Sequence, residues 1–358
     1  MRDIDAAFWN GRRVFVTGHT GFIGGWLAVW LRRLGAQVFG YSLPPPTDPS
    51  FFSAADVAAD VKSVIAYLRD LGSLRQAMAD ANPEVIMHLA AQPLVREAHA
   101  DPLTTYGTNV MGTVHVLEAM RALGSVRAAV IMTSDKVYEN SERPDGYRED
   151  DRLGGREPYG SSKACAEIVT RAYRDSYFEG GLDGVGIATV RAGNVIGGGD
   201  FAADRIVPDA VRAFAGQQPL VIRNPAATRP WQQVLEPVRG LLMLGERLAN
   251  RPSQWSEAWN FGPDESGSKP VSWLATELCR LWGDNARWIP ANDAAGQPYE
   301  AKLLAVDIEK SRSKLGWTPA WAAARACAAT VAWYKDLVAG RDTRRRIISQ
   351  IEEFEHEC

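Results

Sequence analysis

Nowhere does the chain run for about 18 consecutive apolar residues, so no membrane-spanning helix is expected. Met1 to Asn10 has no basic stretch followed by an apolar one, which argues against a secretory leader. Cysteine is scarce. Cys165, Cys279, Cys327 and Cys358 lie far apart without metal-ligand spacing, so reduced thiols in a cytoplasmic setting are expected and a metal site is not. Basic blocks that would suggest nucleic acid are missing, and the triplet Arg344-Arg345-Arg346 reads as a solvated helix face. Internal repeats are absent, and low complexity is confined to Pro44-Pro45-Pro46. What remains is a chain of 358 residues, 46% hydrophobic with a net charge of −3. That composition suits a soluble globular protein large enough for two lobes.

Within that frame the amino-terminal half alternates strand and helix, the pattern of a doubly wound parallel α/β sheet. Arg13 to Thr17 reads as a strand, Gly21 to Leu34 as a helix and Gln37 to Tyr41 as the next strand. Val64-Ile65 is strand-like and Ser73 to Ala81 helical. Val85 to Leu89 and Val126 to Met132 are apolar strands on either side of a long helix from Pro102 to Leu123. Val185 to Arg191 is a further strand. Beyond Asn194 the pattern loosens and tryptophan becomes frequent: Trp231, Trp255, Trp259, Trp273, Trp282, Trp288 and Trp317 predict a smaller lobe packed by aromatics. The expected division is 1–193 and 194–358, with some later segments returning to the first domain.

Between the first strand and the first helix lies Gly18-His19-Thr20-Gly21-Phe22-Ile23-Gly24, a G-x-x-G-x-x-G run. Glycines there let the turn close, let backbone approach a pyrophosphate and let helix pack on strand. The helix start adds free N–H groups and a positive dipole. Position after a strand and before an amphipathic helix makes this a dinucleotide turn. The second strand ends in Gly40-Tyr41-Ser42, without the acid that often holds a ribose and without an arginine for a 2′-phosphate. That chemistry favours NAD over NADP. Leu89-Ala90-Ala91 ends the fourth strand in small residues against which a cofactor can lie, and His88 reads as a packed strand-end histidine.

The stretch from Thr133 to Lys163 concentrates reactive groups. Ser134, Asp135 and Lys136 follow a buried strand, at the sheet edge where such folds bind ligands. Pro158 suits a first helical turn, and Tyr159 and Lys163, four apart, share one face of the helix it opens. Adjacent strand residues point to opposite faces, so Asp135 and Lys136 reach one spot only if the strand has ended before them.

The glycine turn, the strand-end Ser134 and Tyr159-x-x-x-Lys163 together resemble the extended short-chain dehydrogenase/reductase family. Within it, Val14 to Phe22, Gln92-Pro93-Leu94-Val95-Arg96, Thr133-Ser134-Asp135-Lys136 and Arg229-Pro230-Trp231-Gln232 resemble the CDP-glucose 4,6-dehydratases. The likeness runs from Phe8-Trp9 through Leu315-Gly316-Trp317-Thr318-Pro319 to Gln350-Ile351-Glu352-Glu353. It implies a Rossmann domain holding NAD and a smaller mixed carboxyl-terminal lobe holding the nucleotide-sugar CDP-glucose. It also implies a homodimer paired through helices near 102–123 and 159–178.

By that resemblance Gly18, Thr20, Gly21, Phe22, Ile23, Gly24, Ser42, Leu89, Ala90 and Ala91 bind the cofactor together with Tyr159 and Lys163. Asn194, Arg205 and Arg229 hold the substrate, the arginine fork suiting a diphosphate. Tyr159 takes the C4 hydroxyl proton as hydride leaves C4, and Ser134 bonds the C4 oxygen. Lys136 then removes the C5 proton, Asp135 protonates the departing C6 hydroxyl, and hydride returns to C6. Bringing a phenol from its free value of ~10 to about 7 is worth ~4 kcal/mol, and Lys163 is the nearby charge expected to favour phenolate. A Lys–Asp pair sharing one proton serves both elimination roles.

Two positions depart from the family pattern. Tyr67 stands where relatives carry an aspartate for the adenine, and Gln233 where a histidine is expected to touch substrate. Tyr299-Glu300 lies near the nucleotide cover of relatives. Three rival readings stand: a nucleotide-sugar 4-epimerase, which has no use for Asp135 and Lys136, a dehydratase acting on another NDP-hexose, and a non-catalytic NAD-binding protein on the same scaffold.

Overall fold

The computed structural model describes residues 4–178, 184–264, 267–291 and 301–358. Strand β1 (Arg13–Thr17) leads into helix α1 (Phe22–Arg33), and β2 (Gln37–Ser42) and β3 (Val61–Ile65) follow. Next come α2 (Leu71–Ala81) and β4 (Val85–His88). The long helix expected over 102–123 is a segmented run from Pro102 to Arg121, with a wide turn over Gly107–Met111 ahead of its regular part, α3 (Gly112–Arg121). Strand β5 (Ala128–Met132), helix α4 (Pro158–Tyr173) and strand β6 (Gly186–Ala192) complete the first half.

In the second half α5 (Ile206–Ala215) and α6 (Leu235–Asn250) precede a seventh strand, β7 (Ala258–Phe261). Helices α7 (Val271–Trp282), α8 (Ala323–Val338) and α9 (Thr343–Glu357) follow. The seven strands form one sheet in the order β7-β6-β5-β4-β1-β2-β3, every pairing parallel. Strand order reverses between β1 and β4, which opens a crevice at their carboxyl ends, the usual ligand position in such a sheet.

A sheet covered on both faces has apolar residues pointing both ways. Val14, Val16 and Val130 point into a core shared with α1, α6, α8 and α9, whereas Phe15, Ala129 and Ile131 point into one shared with α2 and α3. Trp231, Trp255, Trp259, Trp282 and Trp317 join Trp9, Trp26 and Trp30 in the first of these cores. Trp259 itself lies on β7 and stacks on Trp255 at 5.6 Å. Two of the basic triplet anchor α9, since Arg344 bonds both Asp60 carboxylate oxygens (2.9 and 2.8 Å) and Arg346 pairs with Asp336 at 2.6 Å, while Arg345 is exposed.

Among the described residues no helix is long and apolar enough to cross a membrane, no group of histidine, cysteine or acidic side chains fits a metal, and Cys165, Cys279 and Cys327 are free thiols.

Candidate active site

The glycine turn is built by contact distances. Gly18 has φ 79°, and a Cβ there would sit 2.7 Å from the Ala90 amide nitrogen. A Cβ on Gly24 would lie 2.2 Å from the Gly18 carbonyl oxygen, so α1 crosses β1 as closely as backbone permits. Gly21 is the N-cap of α1, and no side chain caps that helix. The first-turn N–H groups, at Phe22, Ile23 and Gly24, therefore keep their donors and the dipole for an anion. These residues fit the pyrophosphate of a dinucleotide.

Other expected cofactor positions are engaged within the protein. Thr20 and Ser42 hydroxyls bond each other at 2.7 Å, and Thr20 also donates to the Leu43 carbonyl at 3.0 Å. The amides of Leu89 and Ala90 both donate to the Thr17 hydroxyl at 3.1 Å, which fixes the β4 end against β1; Ala91 follows, half-buried. His88 is a packed residue: Thr17 and Thr113 hydroxyls flank its ring, and burial lowers its pKa to about 3. Tyr67 lies under the Arg69 guanidinium, 4.2 Å from its ring centre.

At the other side of the crevice β5 ends at Met132, and Asp135–Val137 turns as a short 3-10 segment. The strand has thus ended before the Ser-Asp-Lys triplet, the condition on which a shared focus depended. The Ser134 hydroxyl donates to Asp135 Oδ1 at 3.1 Å and accepts from the Lys136 amide at 3.2 Å. Lys136 Nζ stands 3.8 Å from Asp135 Oδ1, its side chain 34% exposed against 1% for the aspartate. Asp135 Oδ2 is buried without a hydrogen-bond partner.

Helix α4 begins with Pro158 behind the N-cap Glu157, whose carboxylate accepts from the Tyr159 and Gly160 amides at 2.7 Å each. Burial pushes the Tyr159 phenol up to about 12; the Ser134 hydroxyl draws it down, Asp135 pushes it up, Arg205 draws it down and Glu157 pushes it up. The sequence pointed to a phenol lowered by Lys163. Among the protein's own groups desolvation wins instead. Burial brings Lys163 down to about 8, with Glu167 opposing, and its ammonium donates to the Met132 carbonyl at 3.0 Å.

Glu167, one turn beyond Lys163, escaped sequence reading. It accepts from Thr133 (2.5 Å), Thr189 (2.6 Å) and the Arg191 fork (3.0 and 2.9 Å), all buried. The available signal was spacing, because Tyr159, Lys163 and Glu167 form one stripe on α4.

From the second half, Asn194 brings a buried Oδ1 with no partner. Arg205 caps no hydrogen bond at the start of α5, pairs with Asp200 at 3.0 Å and acts electrostatically on Tyr159. Arg229 is buried on the short strand Thr228–Pro230, donating to the Thr228 carbonyl at 2.9 Å. Gln233 is fully buried, and its side-chain oxygen accepts from the Leu235 amide at the start of α6. Tyr299-Glu300 lies outside the described residues. A cleft of about 960 Å³ opens beside Glu167, Arg171 and Lys314, but none of Ser134, Asp135, Lys136, Tyr159 or Lys163 lines it.

A doubly wound sheet with a glycine turn on one side of its crevice and a Ser, Tyr and Lys group on the other defines the short-chain dehydrogenase/reductase class. The chain belongs to the GDP-mannose 4,6 dehydratase family, whose model matches residues 15–330. It is 46% identical over 342 residues to the CDP-glucose 4,6-dehydratase of Salmonella typhimurium, covering 95% of both chains. It is 24% identical over 344 residues to a dTDP-glucose 4,6-dehydratase of Xanthomonas campestris, covering 89% of this chain and 92% of that one. Among solved structures, the epimerase Mth375 of Methanothermobacter thermautotrophicus superposes with a TM-score of 0.78 at 23% identity, over 95% of this chain and 98% of that one. The dTDP-glucose 4,6-dehydratase of Bacillus anthracis, in complex with NAD, superposes with a TM-score of 0.75 at 19% identity, over 91% and 97%.

Proposed function

We propose that the protein is a lyase that converts CDP-glucose to CDP-4-keto-6-deoxyglucose with NAD recycled in each turnover. The observation that carries this reading is the Asp135–Lys136 pair, 3.8 Å apart, sharing a focus with Ser134 and Tyr159. An epimerase would use Ser134, Tyr159 and Lys163 alone, and a mere binding protein would need none of them. The choice of cytosine nucleotide is supported by the 46% identity to the Salmonella enzyme.

The turn Gly18–Gly24 would hold the pyrophosphate of NAD, with Thr20, Ser42 and Leu89 to Ala91 flanking it. When bound, NAD would supply the hydride acceptor and donor for the reaction. Tyr159 removes the C4 hydroxyl proton. Ser134 donates to the C4 oxygen, and Lys163, fixed on the Met132 carbonyl, holds a cation one turn behind the phenol. Once C4 is a ketone the C5 proton is acidic. Lys136 takes it, Asp135 gives its proton to the C6 hydroxyl, and water leaves; Lys136 later returns a proton to C5. Arg205 and Arg229 supply charge for the diphosphate, and Asn194 offers an acceptor to the substrate.

Incubation with CDP-, dTDP-, UDP- and GDP-hexoses is expected to give a 4-keto-6-deoxy product by mass with the CDP sugar foremost. A C4 deuterium should appear at C6. An epimer alone, or label retained at C4, removes the reading. Lys136→Met is expected to abolish elimination while leaving NAD binding intact, and normal dehydration by that variant would strip Lys136 of its role.

We further propose that the enzyme is cytoplasmic, which suits a chain with few and scattered cysteines, and that it is a homodimer. Leu103, Tyr106, Met111 and Ile168 are exposed on the 102–121 run and on α4, at 84%, 38%, 48% and 51%, which leaves those helices with uncovered apolar side chains.

A further inference from the structure

Gly193 stands directly after β6, facing the end of β5. Its φ lies outside the left-handed region, so its backbone conformation does not call for glycine. Space does. A Cβ at this position would be 2.3 Å from Asp135 Oδ2, 3.0 Å from Asp135 Cγ and 2.9 Å from the Pro230 ring. Nor can the backbone retreat easily. The fully buried Gln232 donates its side-chain amide to the Gly193 carbonyl at 2.9 Å and to the Phe261 carbonyl at 3.0 Å. The Gln232 backbone amide also donates to the Asn194 carbonyl at 3.2 Å.

The Asp135 carboxyl is therefore held on two sides. Ser134 bonds one oxygen, and the other is buried against the Gly193 α-carbon with no hydrogen-bond partner. A carboxyl confined by a hydrogen bond on one oxygen and a wall on the other has few side-chain rotations open to it.

We propose that Gly193, pinned by Gln232, is a positioning residue that fixes the orientation of the Asp135 carboxyl and so separates dehydration from simple oxidation at C4. The functional half of this inference rests on the dehydratase reading; the structural half does not. A methyl group at 193 turns the carboxyl away from Ser134 while leaving Tyr159, Lys163 and the glycine turn in place.

The test is a double-mutant cycle with a half-reaction readout. Gly193→Ala is expected to melt below wild type, and the loss should largely vanish when the same change is made in an Asp135→Ala background, because the clashing oxygens are gone. An equal loss in both backgrounds overturns the proposal, as does recovery of Gly193→Ala by Pro230→Ala, which would assign the clash to the proline ring. With CDP-glucose, Gly193→Ala should still form enzyme-bound NADH, read at 340 nm, while release of the 4-keto-6-deoxy product falls tenfold or more. Turnover within twofold of wild type, or loss of oxidation in parallel with elimination, overturns it. If wild type forms no 4-keto-6-deoxy sugar, the dehydratase reading fails, and the melting cycle alone still decides whether Gly193 positions Asp135.

Discussion

Tyr159 and Lys163 are both held away from their ordinary pKa values by burial, and in opposite senses: the phenol is pushed up to about 12 and the ammonium brought down to about 8. Both shifts favour the neutral form, as desolvation must. Lys163 keeps its proton at neutral pH partly because Glu167 opposes its desolvation. If the Lys163 cation assists the phenol, activity should fall as pH rises through about 8. Glu167→Gln removes the opposing carboxylate, so the alkaline limb of the kcat profile should move to lower pH; an unmoved limb would separate Glu167 from Lys163. The same change leaves Arg191 buried without its anion, a loss of about 3–5 kcal/mol, which denaturant unfolding would register. Glu167 itself was within reach of sequence reading through its spacing. Its partners Thr133, Thr189 and Arg191 were not, because they come from β6 and the residue after β5, which meet α4 only in the fold.

The elements that carry the site were recognisable from local rules. Glycine, strand and helix in order predicted the β1–α1 turn, and Pro158 with a capping acid before it starts α4 where expected. What the elements do with their hydroxyls was not recognisable. Thr20 and Ser42 sit more than a strand apart in sequence yet satisfy each other, and Gln233 serves the start of α6. The closeness of the crossing at Gly24 gives a graded expectation. Gly24→Ala, with its Cβ 2.2 Å from the Gly18 carbonyl, should destabilise by about 1–3 kcal/mol and weaken NAD binding at least tenfold. Gly21→Ala, with 3.3 Å at the same oxygen, should do markedly less. Thermal unfolding and NAD titration followed by tryptophan fluorescence rank the two, and equal effects would contradict the packing argument.

At the scale of the whole molecule, one sheet joins the halves. β7 lies far along the chain from β6 but pairs with it residue by residue, Ala258 on Thr189 through Phe261 on Ala192. The tryptophans of the second half consequently fill the main core. Light scattering after size exclusion should return twice the chain mass for wild type, and Leu103→Glu with Ile168→Glu should return the monomer with its fold intact. A wild-type monomer would leave the exposed leucine and isoleucine to another role.

Sequence by itself determined the order of strands and helices, the glycine turn and the pairing of Tyr159 with Lys163, since each depends on neighbours within a few residues. It also carried the Ser-Asp-Lys triplet by composition. Only the tertiary structure decided that β5 stops at Met132, so that Ser134 bonds Asp135 and the Lys136 ammonium stands 3.8 Å from the same carboxylate. Only it set Gly193 against the Asp135 carboxyl, bonded Gln233 to the first amide of α6 and drew β7 into the sheet. These depend on contacts between segments distant in sequence, where burial and steric exclusion choose among partners that local propensity leaves equal.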